Sequence, residues 1–148
     1  MNLTLLTNSK QKKDSLFQDL SEYTKRFSHH WHFNAIILPP KKNSNTGEDT
    51  RLLPLIPPKS YVIALDEKGQ LMNSPLFSQK LQAVQYENKA VCFLIGGADG
   101  LPPECLKRAN LKLSLSPMTF PHHLASLLLV EQLYRAWSIQ NKHPYHRV

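Results

Sequence analysis

The chain has 148 residues, enough to bury one core and too few for two ordinary domains, so a single domain over 1–148 is expected. Hydrophobic residues make up 41%, as in a globular protein, and no apolar run approaches the roughly 18 residues of a membrane span. Lysine and arginine number 18 against 11 acidic residues, and the net charge of +7 favours a polyanionic partner, RNA or DNA ahead of an acidic membrane.

Asn2 to Leu6 reads as a first strand; the opening Met1–Thr7 lacks the basic start and small-residue cleavage site of a signal peptide. Leu16, Leu20, Tyr23 and Phe27 recur at the spacing of one helix face. His32 to Leu38 is apolar, stops at Pro39-Pro40 and predicts a second strand. Lys41 to Ser60, with Pro54, Pro57 and Pro58, predicts a basic, polar surface loop holding at most a turn of helix and open to RNA. Tyr61 to Asp66 predicts a strand followed by a turn at Glu67-Lys68-Gly69. Ser74 as N-cap and Pro75 at the next position predict a helix burying Phe77, Leu81 and Val84. Ala90 to Ile95 reads as a strand buried on both faces, Pro102-Pro103-Glu104 opens a short helix, and Leu111 to Leu115 is a last strand. The longest helix runs from His122 to about Gln140, with Leu124, Leu127, Leu128, Glu131, Tyr134 and Trp137 as neighbours along it, and a non-helical tail follows. This alternation means an α/β fold with a mostly parallel sheet flanked by helices. In such sheets ligands bind beyond the carboxyl ends of the strands, here Leu65-Asp66, Gly96-Gly97 and Leu115 onward.

Three segments could carry chemistry. Gly96-Gly97-Ala98-Asp99-Gly100 lets the backbone turn sharply and approach a ligand closely, or is an ordinary strand-to-helix turn. It has neither the dinucleotide nor the P-loop spacing. Leu115 to Pro121 is apolar and stiffened by two prolines, suited to wrapping a flat aromatic group with backbone hydrogen bonds. The tail interleaves Lys142, His143, Tyr145, His146 and Arg147, either a solvated end or a set of stacking faces and phosphate-binding cations for single-stranded RNA. The histidines at 29, 30, 32, 143 and 146 lack cysteine or carboxylate partners at ligand spacing, so no metal is expected. Cys92 and Cys105 read as reduced thiols of a cytoplasmic protein, and no Gly-x-Ser-x-Gly nucleophile is present.

Four segments in order, Leu94 to Leu101, Leu113 to His122, Leu133 to Trp137 and Asn141 to Arg147, closely resemble the RlmH family, and the strand ending Ala64-Leu65-Asp66 agrees. These are the ribosomal RNA large-subunit methyltransferases of the SPOUT (trefoil-knotted) superfamily. The resemblance spans nearly the whole chain. It implies a C-terminal trefoil knot and S-adenosyl-L-methionine held bent by Leu65, Gly96, Leu115, Ser116, Pro117, Met118, Thr119 and Phe120. It also implies a homodimer in which one subunit's tail helps to build the other's RNA site. The reaction implied is methylation of N3 of a pseudouridine in 23S ribosomal RNA, within the ribosome. S-adenosylmethionine carries its own leaving group, so neither metal nor covalent nucleophile is required. His122, Arg135, Tyr145, His146 and Arg147 are candidates for orienting the base and its phosphates, with His122 and Arg135 as the catalytic pair. The alternative is a non-enzymatic RNA- or ribosome-binding protein on the same fold. Departures from the family are a shorter, proline-rich Lys41–Ser60 segment, Ala98-Asp99 in place of Pro-Glu, and His123 after His122.

Overall fold

Five apolar segments pair side by side in one sheet: β1 (Asn2–Asn8), β2 (His32–Leu38), β3 (Tyr61–Leu71), β4 (Val91–Ile95) and β5 (Leu111–Ser114), in the order β2-β1-β4-β3-β5. The computed structural model describes residues 1–9, 13–41 and 49–147, with residues 13 and 14 described in backbone alone. Every pairing is parallel, as strands joined by crossover helices require. The helices are α1 (Lys13–Phe27), α2 (Ser74–Tyr86), α3 (Pro103–Arg108) and α4 (His122–Gln140).

Because successive strand side chains point to opposite faces, the sheet divides the interior into two cores. Leu3, Leu5, Ile63, Phe93 and Ile95 pack with α1, α2 and α4. Leu6, Val62, Ala64, Cys92 and Leu94 face the other layer, where α3 supplies Cys105 and Leu106. All of β4 is buried, as its unbroken apolar run predicts. Leu16, Leu20 and Phe27 of α1, and Phe77, Leu81 and Val84 of α2, are buried as their spacing predicts.

The structure corrects four expectations. Residues 42–48 of the proline-rich stretch lie outside the described residues; the rest holds the single helical turn expected, but it is apolar and partly buried rather than a polar surface loop. Leu52 is 1% exposed, and with a 3-10 turn at Leu53–Leu55 it covers the second core. Burying a leucine contributes roughly 1.5–3 kcal/mol, more than solvating this segment's polar residues would offer. Buried Asp49 anchors it by pairing with Arg51 at 2.7 Å, and Arg51 Nη2 also donates to the Pro39 carbonyl.

Second, Glu67-Lys68-Gly69 does not end β3. Leu65 and Gln70 both register with Leu113, so Asp66 to Gly69 loops out as a bulge inside a continuing strand. A Cβ on Gly69 would lie 2.7 Å from the backbone of Lys112, so the bulge closes only on glycine. Third, Asn73 rather than Ser74 caps α2, its Oδ1 accepting from the Leu76 N–H at 2.9 Å. Fourth, α4 buries Ser126, Leu129, Val130, Leu133, Tyr134, Ala136 and Ser138, so of the neighbours anticipated along it only Tyr134 is buried, and Leu124 stays 40% exposed. Wedged between α1 and α2, α4 turns this face inward, and Ser78 of α2 donates to the Ala136 carbonyl at 3.0 Å.

The connections set the functional rim. After β1 the chain crosses to β2 at one edge; after β4 it crosses through α3 to β5 at the other. The carboxyl ends of β1 and β4 therefore flank the point where winding reverses, the place where open α/β sheets bind ligands.

Candidate active site

Three backbone devices meet at this rim. The first is the glycine loop after β4. Gly96 is buried, and Gly100 (φ 77°) donates its N–H to the Gly97 carbonyl at 3.0 Å, closing a tight turn. A Cβ on Gly96 would stand 2.3 Å from the Gly100 carbonyl carbon, whereas one on Gly97 would meet only the Asn8 Cβ at 3.7 Å.

The second device is the β3 bulge. Its Glu67 carbonyl lies 3.1 Å from the Ser114 hydroxyl, and its carboxylate accepts from the Thr119 hydroxyl. The third, the connection from β5 to α4, is thereby clamped to β3. Within it the Ser114 hydroxyl also lies 2.9 Å from the Ser116 carbonyl, and Ser116 Oγ accepts from the Met118 N–H at 3.0 Å. Leu65, Leu115, Ser116 and Phe120 are half-buried, while Pro117, Met118 and Thr119 are exposed, Met118 at 72%. The predicted cofactor residues Leu65, Gly96 and Leu115 to Phe120 thus gather at one rim.

The connection ends at α4, where His122 Nε2 sits 3.2 Å from Ser9 Oγ, just beyond β1. The neighbouring His123 pairs with Asp19 of α1 at 3.2 Å. Asn8 and Ser9 escaped the sequence reading, which ended β1 at Leu6. They are 8% and 3% exposed, and Asn8 Oδ1 is buried with no hydrogen-bond partner among the described residues. An orphaned buried acceptor costs roughly 1–3 kcal/mol. Here it lies beside the glycine loop, where a bound donor could satisfy it. A Cβ built on Gly100 would meet no heavy atom within 4 Å among the described residues beyond its chain neighbours. Open space, an unpaired acceptor and a stiff apolar connection suit a small ligand with a flat ring and polar groups.

The tail lies at the other end of α4 from this rim, largely exposed but with Tyr145 and His146 half-buried. It folds back on α4, with the His143 N–H donating to the Ser138 carbonyl at 2.9 Å and the Tyr145 ring 4.4 Å from that of Tyr134. Tyr145 donates its hydroxyl to Glu131 at 2.8 Å, and Arg135 bonds the same carboxylate while lying over the Tyr145 ring and 3.3 Å from His146 Nδ1. Glu131 holds the Arg135 guanidinium more firmly charged, and burial raises the Tyr145 phenol above its usual value. Lys142, His143 and Arg147 remain exposed on this platform. His122 and Arg135, thirteen residues apart on one helix, are separated by about 20 Å of rise. One chain does not bring the two candidate catalytic residues together.

Cys92 and Cys105 are buried free thiols, and burial pushes Cys92 up to about 12. Among the described residues no three His, Cys, Asp or Glu side chains cluster as metal ligands, and no helix is long and apolar enough to cross a membrane.

The family described as "Predicted SPOUT methyltransferase" matches residues 1–146. A ribosomal RNA large subunit methyltransferase H from Nitrosococcus oceani is 36% identical over 155 residues, covering 99% of both chains. The protein of the same name from Nitratidesulfovibrio vulgaris is 40% identical over 153 residues, covering 98% of each. Among solved structures, a probable methylase family protein from Haemophilus influenzae superposes with a TM-score of 0.59 at 13% identity, over 99% of this chain and 70% of that one. TrmJ from Z. mobilis reaches 0.54 at 10% identity, over 92% and 70%. These two likenesses bear on the α/β fold alone. Full-length identity at the level of the first two relatives, together with the family match, places the chain among the SPOUT methyltransferases, in the family of ribosomal RNA large subunit methyltransferase H.

Proposed function

We propose that this chain, as one domain over 1–148, methylates N3 of a pseudouridine in large-subunit ribosomal RNA in the cytoplasm, using S-adenosyl-L-methionine. The observation that supports the reading is that the glycine loop, beside the unpaired Asn8 acceptor, and the β3 bulge, clamped to the Leu115–Phe120 connection, stand at the same carboxyl end of the sheet. Leu65, Gly96 and Leu115 to Phe120 would hold the cofactor, the apolar side chains against its adenine and the backbone groups on its polar edge. The cofactor supplies an activated methyl group together with its leaving group. The chain's own work is to hold the acceptor base in line, exclude water and accommodate the N3 proton. His122, fixed by Ser9 at the rim, is the imidazole best placed to share in that task.

The reading includes a homodimer. The tail platform with Arg135, Lys142, His143, Tyr145, His146 and Arg147 stands about 20 Å along α4 from its own rim, and in this reading a second chain brings these RNA-binding groups to the first chain's cofactor. Exposed Leu71, Leu76 and Leu124 offer apolar area for such a contact. The reading also includes the trefoil knot. The connection from edge strand β5 to the start of α4 beside β1 must pass the ends of β3 and β4, where the glycine loop closes.

The reaction is tested with purified protein, S-adenosylmethionine carrying a labelled methyl group and ribosomes from a host lacking the gene. Label should appear in one N3-methylated pseudouridine of the large-subunit RNA. Label on another nucleotide, or cofactor that fails to bind at millimolar concentration by calorimetry, rejects the reading.

A further inference from the structure

The end of the sheet remote from the cradle carries two adjoining cavities that the methyl-transfer site does not use. The first, of about 580 Å³, lies where α1, α2 and α4 end. It is lined by five side-chain carboxamides, those of Gln82, Gln85, Asn88, Gln140 and Asn141. None carries a charge, and each keeps an acceptor and at least one N–H, although Gln140 already donates to the Ser78 carbonyl and Asn141 to the Trp137 carbonyl. Aromatic faces adjoin them: His30 stacks on Trp137 at 5.4 Å, and Tyr86 is 78% exposed.

The second cavity, of about 520 Å³, lies before β3, β4 and β5 and shares Asn88 with the first. Lys59, Lys89 and Arg108 line it, with Glu87 as the single acid. Glu87 pairs with Lys89 at 2.8 Å, but both side chains are about half exposed (61% and 47%), so the pair is weak and yields readily to a stronger anion. Lys80 lies over the lining ring of Tyr61 at 5.2 Å and adds a fourth cation. Ser60 also lines this cavity; it is 6% exposed, and its buried hydroxyl has no partner among the described residues. Asn88 holds the junction in a left-handed conformation (φ 55°). The N–H groups of Asn88 and Lys89 bond back to Gln85 and Val84 in a helix-ending motif that fixes the backbone there.

An uncharged, amide-lined cleft with stacking faces suits the edge of a nucleobase, and a cationic cleft with a spare hydroxyl suits phosphate. Side by side, the two match a nucleotide and its neighbouring backbone. We propose that this amino-terminal rim is a second RNA-contact site. An unpaired base of the large-subunit RNA enters the amide cleft, and flanking phosphates lie against Lys59, Lys89, Arg108 and Ser60. Continuity with the tail favours RNA as the occupant. Gln140 and Asn141 line the amide cleft and lead directly into Lys142 and His143, whose ring lies 5.6 Å from Trp137. The net charge of +7 agrees. The inference rests on the reading that the substrate is RNA.

The test uses the full chain and a fluorescein-labelled oligouridylate of about 12 nucleotides, within the site sizes of single-strand binders. Tyr86→Ala should weaken binding on the order of tenfold through lost stacking. Lys89→Ala/Arg108→Ala should flatten the dependence of log affinity on log salt by about 1.4, the share of two phosphate contacts to a single strand. Lys107→Ala/Lys112→Ala, which changes cations outside the cavity linings, should flatten it less. All variants should bind S-adenosylmethionine as the parent chain does, which certifies their folding. Unchanged affinity and slope in the rim variants, or equal losses in the control, overturn the proposal. Because the assay reads binding without turnover, missing ribosome methylation alongside an intact rim effect would count against the enzyme reading alone.

Discussion

Replacing Gly96 with alanine probes the cradle most sharply. The added Cβ would lie 2.3 Å from the Gly100 carbonyl carbon, 2.5 Å from its oxygen and 2.6 Å from the Leu101 nitrogen. All three are backbone atoms, so no side-chain rotation relieves the clash. The turn must retreat by about 1 Å to reach ordinary contact. Overpacking of this kind costs about 1–3 kcal/mol, which for a domain of this size lowers Tm by roughly 3–9 °C. A displaced loop forfeits hydrogen bonds to the cofactor worth about 1 kcal/mol each, so affinity should fall by on the order of tenfold. Gly97→Ala is the internal control, because its Cβ would meet only the Asn8 Cβ at an ordinary 3.7 Å. It should lower Tm by about 3 °C or less and retain cofactor binding. Calorimetric titration with S-adenosylmethionine and a thermal melt read both quantities. Gly96→Ala protein that binds like the parent, or equal losses in both variants, would refute the assignment of this turn to the cofactor.

Three further outcomes follow from the same geometry. Asn8→Ala removes an orphaned buried acceptor, so the ligand-free protein should gain about 1 kcal/mol in denaturant unfolding while cofactor affinity falls. Unaltered affinity would show that Asn8 serves no ligand. Arg147→Ala should slow methylation of ribosomes and leave cofactor affinity intact; normal methylation would remove the tail from the RNA site. Burial raises the Cys92 thiol from 9.0 to about 12, favouring its neutral form in the folded protein. Its contribution to stability is complete below pH 9 and is lost as pH rises towards 12, where the unfolded chain ionises first. Cys92→Ala should therefore be less stable at neutral pH yet lose less on going from pH 8 to 11. Parallel alkaline limbs for the two proteins would contradict this account of the thiol.

Where local pattern and packing agree, the elements were legible in the chain. His32–Leu38 and His122–Gln140 begin and end where the apolar runs and prolines place them, and α1 buries the leucines its spacing selects. Glu67-Lys68-Gly69 carries the chemistry of a turn, but pairing with β5 resumes at Gln70, which no local signal announces. Asn73 and Ser74 are both capping residues, and only the geometry decides for Asn73. Leu52, Leu53, Leu55 and Ile56 were a hydrophobic signal overridden by the prolines around them. At the candidate site, the placing of Gly96 and Leu115–Phe120 on one rim was readable because they follow the carboxyl ends of strands. Asn8 and Ser9 were missed because a strand's last polar residues look like any strand end until the sheet order shows which strands flank the reversal. The distance between His122 and Arg135 follows from their places on one long helix, which the sequence reading already bounded at His122 and Gln140.

The most direct test of the central claim is mass spectrometry of nucleosides from large-subunit RNA after deletion of the gene in its host. One pseudouridine should lose the mass of a single methyl group and regain it when the gene is restored. The Gly96→Ala gene should fail to restore it. A methylation profile identical with and without the gene would contradict the account.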